Sequence, residues 1–164
     1  MSTAANQTLN GKHFPGSQQA AGKVANSDTV EQLIASAFDG KFSTNNVVRL
    51  GDDAYYLPTL EEVEHILSTS AVDAADRKWV ANKYDCDDFS YVLKGAFSTA
   101  AYLAEDRMYG FALGIIWADF KHITGYHAIN VLVLNDESVM LIEPQGNFIY
   151  PASNCSGKIG IIVI

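Results

Sequence analysis

The sequence predicts an α+β fold in which N-terminal helices pack on a C-terminal antiparallel sheet. Before about residue 105 the apolar residues follow helical spacing, and from Phe89 to Phe97 they recur at i, i+3, i+4 and i+8. From residue 111 onward the pattern changes to continuous or alternating apolar runs, separated by Gly, Asn, Asp and Pro. Helices followed by strands are typical of the α+β class, and short connections between strands favour hairpins.

Two early helices have recognisable ends. Asp28 and Glu31 match a capping box at the start of the first helix, and Gly40 is a suitable residue to end it. Thr59 and Glu62 form a second capping box, directly after a proline. Both helices carry one apolar stripe, which indicates that each packs one face on the sheet.

The third helix is the strongest prediction in the chain. It starts at Cys86 and runs to about residue 105, with Asp85 as its N-cap and Asp88 completing a capping box. A further helical segment is expected over residues 70–79, leading into the turn before Cys86.

The remaining elements are strands. They are predicted at 46–50, 111–117, 126–134, 139–142, 147–150 and 159–164. Residues 1–27, which are rich in Gly, Ser, Gln, Asn and Ala, are expected to form a loose N-terminal arm, and residues 28–164 a single domain.

Composition limits the partners. The chain has 164 residues and a formal net charge of −8, which argues against nucleic acid because phosphate binding needs clustered Lys and Arg. No apolar run approaches 18 residues, so no membrane-spanning helix is expected. The N-terminus lacks the features of a signal peptide, which leaves the location unknown, either cytoplasmic or released by a non-classical route. Nothing in the sequence calls for an organic cofactor.

Cys86 is the first candidate site residue. At the N-terminus of a helix, free backbone N–H groups and the helix dipole favour a thiolate, which is what a cysteine nucleophile requires. The alternative is that Cys86 is a small buried residue without chemistry. Cys155 is expected to be a second free thiol, since two cysteines do not make a disulfide framework.

His127 and Glu143 are the candidate base and orienting acid for that thiol. They share a face of the sheet only if paired positions on the two strands add to an even number. A sum of 270 sets them directly opposite each other, a sum of 272 places them diagonally, and a sum of 271 separates them. The interpretation as one site therefore predicts an even register.

These motifs together resemble a known family. Trp79, the run Tyr84-Asp-Cys-Asp-Asp-Phe89, Tyr126-His127-Ala and Ile142-Glu143-Pro144 resemble the cysteine-protease domain at the C-terminus of the fairy-ring mushroom agglutinin and its small bacterial and phage relatives. The resemblance covers roughly residues 52–150. The agglutinin's sugar-binding trefoil and its Gln-x-Trp repeats have no counterpart here, so the resemblance does not carry sugar binding over.

The resemblance implies a papain-like cysteine protease fold for the domain 28–164. It implies calcium-dependent peptidase activity on protein or peptide substrates, a catalytic triad of Cys86, His127 and Glu143, and Trp79 at the oxyanion site. It also implies a homodimer, of which the sequence gives no independent sign. A core aromatic beside the helix is the alternative for Trp79.

Three acids next to Cys86 raise the question of calcium. Asp85, Asp87 and Asp88 offer several hard oxygens close together, and the calcium-dependent transglutaminase-like peptidases also flank their cysteine with acids. The alternative is that these acids only cap the helix and complement its dipole. Negative charge beside the sulfur opposes thiolate formation, and a bound cation would offset it.

The expected function is therefore that of a thiol hydrolase, namely a cysteine peptidase. Two other functions remain open at this stage. One is a peptidoglycan amidase of the NlpC type, although Asp87 stands where that group has Ser. The other is a catalytically inactive binding or structural module of the same fold.

Overall fold

The computed structural model describes residues 21–73 and 77–164, with side chains for all of these except residues 43–47. Eight strands and three α-helices lie in the described part of the chain. In chain order they are β1 (Lys23–Asn26), α1 (Ser27–Ala37), β2 (Phe42–Arg49), β3 (Ala54–Leu57), α2 (Leu60–Thr69), α3 (Cys86–Leu103), β4 (Leu113–Phe120), β5 (Ile123–Val133), β6 (Val139–Glu143), β7 (Phe148–Pro151) and β8 (Ile159–Val163).

The strands form one large sheet and one small one. The large sheet has six strands in the order β2-β8-β4-β5-β6-β7, and β1 pairs with β3 in a separate two-stranded sheet. All pairs are antiparallel except β2 and β8, which run parallel. The centre of the large sheet is the pair β4–β5, whose register begins with Leu113 opposite Leu132.

Both faces of the large sheet are buried. One face packs against α1, where Val30, Ile34 and Phe38 are fully buried. The other packs against α2 and α3 and includes Leu93 and Phe97 of α3. Burial on both faces explains why the central strands appear in the sequence as nearly continuous apolar runs rather than alternating ones.

The structure confirms the predicted capped helices, except that the first helix has a different N-cap residue. Thr59 and Glu62 form the expected capping box at α2, and α3 begins at Cys86 as predicted. The N-cap of the first helix lies two residues earlier than expected, because Asn26 rather than Asp28 accepts a hydrogen bond from the Thr29 amide, at 2.8 Å. In the described part of 70–79 no helix forms.

The predicted fold, with N-terminal helices packed on a C-terminal antiparallel sheet, is wrong in how its helices and strands are arranged. The N-terminal part of the chain was expected to supply helices and one short strand at 46–50, yet it contributes β1, β2 and β3, so strands outnumber helices in the described structure. The large sheet is also mixed rather than antiparallel, because β2 joins its edge beside β8. The physical reason is that β1 and β2 have mixed polar sequences, Lys-Val-Ala-Asn and Phe-Ser-Thr-Asn-Asn-Val-Val-Arg, whose pairing depends on distant partners. β1 also falls within the expected loose arm, of which residues 1–20 lie outside the described residues.

No helix in the described part of the chain is long and apolar enough to span a membrane.

Gly114 on β4 offers a test of the packing between the central strands and the end of β8. A Cβ atom there would collide with the Val163 carbonyl oxygen and with Ile164. We expect Gly114→Ala to lower the free energy of unfolding by about 1–3 kcal/mol, the usual effect of overpacking a core, measured by chemical denaturation. The matched control is Gly95→Ala on α3, where a Cβ meets no atom within 4 Å. It should instead raise stability by about 0.5–1 kcal/mol, because alanine favours a helix interior. Equal effects of the two substitutions would contradict this packing.

Candidate functional site

The N-terminus of α3 carries Cys86 and its three acids. Asp85 precedes the first turn, and its backbone amide donates to Asp88 Oδ2 at 3.0 Å, which is one half of the predicted capping box. Asp85 Oδ2 accepts a hydrogen bond from the Asn82 amide at 2.9 Å. Cys86 itself is partly exposed rather than buried, and it is a free thiol. Its alternative interpretation as a small core residue is therefore wrong.

The side chains of Asp85 and Asp87 are hydrogen-bonded to each other. A side-chain hydrogen bond to Asp85, followed by burial, raises the pKa of Asp87, and the same hydrogen bond lowers the pKa of Asp85. Ligand atoms of Asp85, Cys86 and Asp87 all lie within 4.8 Å of one another. The carboxylate of Asp88 instead faces the Asp85 amide. The arrangement thus brings together two hard oxygen donors that suit a cation, not three.

His127 and Glu143 are in contact. His127 Nε2 lies 3.0 Å from Glu143 Oε2, and both side chains are mostly buried. Asn130 of β5 pairs with Ile142 of β6, so paired positions add to 272, and the even register is confirmed in its diagonal form. Glu143 Oε1 also accepts a hydrogen bond from the Gln145 amide at 3.0 Å, which fixes the carboxylate in the turn after β6.

The start of α3 lies beside the middle of β5. The Ser90 hydroxyl is 2.9 Å from the Cys86 carbonyl oxygen and 3.3 Å from that of Ala128, the residue after His127. The predicted residues therefore share one neighbourhood. Among the hydrogen bonds of the described residues, none joins the Cys86 sulfur to His127.

Trp79 is 55% exposed, in the irregular segment before the bridge between Val80 and Tyr84. It is thus not the core aromatic that one interpretation expected. No contact of its indole ring with Cys86 occurs among the described aromatic contacts and hydrogen bonds.

An aromatic surface next to this region was missed from the sequence. Tyr91 of α3 and Trp117 of β4 meet edge to face, with ring centroids 6.4 Å apart. Tyr126 of β5 pairs with Asp119, and Trp117 pairs with Ala128, so alternation along the two strands places Tyr126 diagonally beside Trp117 on the same face. We call Tyr91, Trp117 and Tyr126 the aromatic surface.

The aromatic surface borders the acidic helix end. Asp87 and Tyr91 are four residues apart on α3 and so lie on the same side of the helix. Tyr91 is 57% and Tyr126 58% exposed, a large exposed fraction for tyrosine residues. The three rings of the aromatic surface come together only because α3 packs on β4 and β5. The local sequence does not predict that packing.

Comparison with known proteins identifies the family. The family described as "Agglutinin C-terminal" matches residues 55–149. No curated protein matches the chain. Two solved structures share the fold: a complex of PSL1a with E64 (20% identity, TM-score 0.73, 86% of this chain and 51% of that one) and the Polyporus squamosus lectin bound to the human-type influenza-binding epitope Neu5Aca2-6Galb1-4GlcNAc (20% identity, TM-score 0.70, 86% of this chain and 49% of that one). The chain thus spans about half the length of the lectin chains that it matches.

These matches correct several expectations. The expected papain-like cysteine protease fold is corrected to the fold that the chain shares with these two structures. The expectations of a thiol hydrolase and of a protein or peptide substrate are corrected as well, since the matched family is named for an agglutinin. A cysteine at a helix end with a nearby histidine and acid is a local pattern, and it does not by itself make an enzyme.

The match covers more than half of the sequence and contains the whole region from Trp79 to Glu143. The chain belongs to the agglutinin C-terminal family.

Proposed function

We propose that this chain is a non-catalytic binding domain of an agglutinin-type protein and that its ligand is a carbohydrate. The observation that carries the proposal is the extent of the family match. Residues 55–149 include the acidic end of α3, the aromatic surface, and the His127–Glu143 pair. The known ligand of a structural relative, a trisaccharide epitope on the Polyporus squamosus lectin, supports the same class of ligand.

The aromatic surface suits a sugar ring. Exposed tyrosine and tryptophan rings offer flat apolar faces with a polar group at the edge, which matches the apolar and hydroxyl-bearing faces of a pyranose. Asp87 at the border of the surface supplies carboxylate oxygens that accept hydrogen bonds from sugar hydroxyls. Tyr91 and Trp117 hold each other in place, so less side-chain freedom is lost when a ligand binds.

The negative charge beside the aromatic surface favours one class of saccharide over another. The carboxylates of Asp85 and Asp87 border the surface, and the whole chain has a formal net charge of −8. Like charges repel across such a surface, so a neutral saccharide should bind more tightly than one that carries a sialic acid carboxylate.

In this proposal Cys86, His127 and Glu143 form the rim of the binding surface rather than a catalytic triad. The Glu143 carboxylate, fixed by the Gln145 amide, holds the His127 ring in one orientation. Trp79, more than half exposed, offers a further ring near the start of α3. In the rim, these side chains contact the ligand. Binding requires no proton transfer between them and the ligand.

Calcium fits the same surface as an accessory ion. Asp85 and Asp87 would hold it through their carboxylates, while Asp88 stays with the Asp85 amide. An ion there would supply positive charge between two carboxylates that otherwise repel each other. It would also provide a coordination position for sugar hydroxyl oxygens.

Removing one exposed ring should weaken carbohydrate binding. We expect Tyr91→Ala and Tyr126→Ala each to weaken binding of the neutral disaccharide Galβ1-4GlcNAc by about tenfold, corresponding to about 1.4 kcal/mol. Isothermal titration calorimetry measures this change, and a parallel titration with Neu5Acα2-6Galβ1-4GlcNAc should give weaker binding. The matched control is Tyr102→Ala, because Tyr102 is 87% exposed near the opposite end of α3.

Three results would contradict the proposal. The first is that the chain binds neither saccharide, and the second is an equal loss of affinity for Tyr102→Ala and the two surface variants. The third is hydrolysis of an unfolded protein substrate that disappears in Cys86→Ala while the saccharide affinities stay unchanged.

The acid pair predicts a dependence on pH and on cations. Because the pKa of Asp87 is raised in the folded protein, its contribution becomes unfavourable as the pH rises from its unfolded value through the folded one. Asp87→Asn should therefore raise the melting temperature at neutral pH without calcium. Calcium should raise the melting temperature of the unmodified chain and leave that of Asp87→Asn almost unchanged. Asp136→Asn, at an acid far from the pair, is the control. An equal calcium response in all three proteins would rule out a cation between Asp85 and Asp87.

A further inference from the structure

A separate cavity lies along the middle of α3. It has a volume of about 310 Å³, and its lining includes Lys94, Phe97, Phe111 and Asp52. Lys94 is eight residues beyond Cys86 on the same helix, which is about 12 Å at 1.5 Å per residue. The cavity is therefore distinct from the acidic helix end, and the residues that line it include none of the aromatic surface.

Lys94 is held by a single backbone oxygen. Its Nζ donates to the Leu113 carbonyl oxygen at 2.5 Å, and no ion pair of Lys94 occurs among the described residues. An ammonium group has three N–H donors, so this arrangement leaves two without a protein partner. Most of the other groups around it are apolar, including the rings of Phe97 and Phe111.

These surroundings favour the uncharged amine. Burial lowers the pKa of Lys94, and the negative charge of Asp52 opposes that effect only in part. Asp52 is the one other titratable side chain among the described residues that line the cavity. An uncharged lysine amine in an apolar cavity is a nucleophile, as in the lysines that form Schiff bases with carbonyl substrates.

We propose that Lys94 is a covalent attachment site for a small aldehyde or ketone with an apolar body. The Nζ lone pair would form a C–N bond to the carbonyl carbon, and the C=O π electrons would move to the oxygen, which takes up a proton. Loss of water from this carbinolamine then gives the imine, and hydrolysis reverses both steps without an oxidant or reductant. The apolar rings would hold the body of the ligand, and the Asp52 carboxylate lines the same cavity to accept or return a proton. The inference is independent of the proposed carbohydrate binding.

Reductive trapping tests the proposal on the full chain. The protein is incubated with benzaldehyde and cyanoborohydride, digested and mapped by mass spectrometry, and the labelling rate at Lys94 is compared with that at the exposed Lys83. Lys94 should be labelled faster near neutral pH. The ratio of the two rates should fall as the pH rises toward about 10.4, where an ordinary lysine also loses its proton. Lys94→Arg keeps N–H donors for the Leu113 carbonyl oxygen but should lose this label.

The comparison within the unmodified chain does not depend on whether any variant folds. Faster labelling of Lys94 at neutral pH supports the proposal. Labelling that follows exposure, with Lys83 modified first at every pH, would overturn it, as would a Lys94 that stays unmodified.

Discussion

A single buried amide determines how α3 lies on the sheet. Asn130 of β5 is fully buried, and its Nδ2 donates to the carbonyl oxygens of Ser90 on α3 and Gly114 on β4, both at 3.0 Å. One side chain therefore joins the helix to the two central strands. Breaking such a bond leaves buried carbonyl groups without a partner, at about 1–3 kcal/mol each, so the helix cannot slide along the sheet without penalty.

The other features of α3 follow from that position. At its N-terminus, the Ser90 hydroxyl contacts the carbonyl oxygens of both Cys86 and Ala128, so Cys86 lies beside the middle of β5. One residue beyond Ser90, Tyr91 meets Trp117 and creates the aromatic surface. One turn beyond Ser90, Lys94 reaches the Leu113 carbonyl oxygen and faces its cavity. A helix displaced by one turn would lose all three contacts together.

Local patterns predicted the parts of the fold that depend on local physics. The capping box of Thr59 and Glu62 and the start of α3 follow from neighbouring residues. The even register between β5 and β6 was instead predicted from the requirement that His127 and Glu143 share one site. A short strand was expected at 46–50, on β2, but its parallel pairing with β8 could not be predicted in this way, because the two strands lie more than 100 residues apart. The aromatic surface was missed for a similar reason, because its rings come from one helix and two strands that only the folded structure brings together.

The candidate site was also predicted correctly only in part: its residues could be selected from the sequence, but their role could not. The residues Cys86, His127 and Glu143 were selected from the sequence, and the His127–Glu143 contact forms. The activity assigned to them was wrong, because a nucleophile pattern describes residue types and not the role of the surface around them. Family membership and the exposed rings of Tyr91 and Tyr126 favour a binding surface in the same place.

The most direct test of this account is to locate the bound sugar by NMR. The isotope-labelled chain is titrated with Galβ1-4GlcNAc, and chemical-shift changes are mapped onto the backbone amides and the tryptophan indoles. The account predicts that the largest changes occur at Asp87, Tyr91, Trp117 and Tyr126. Changes confined to α1 or β7, or no changes at saturating sugar, would contradict it.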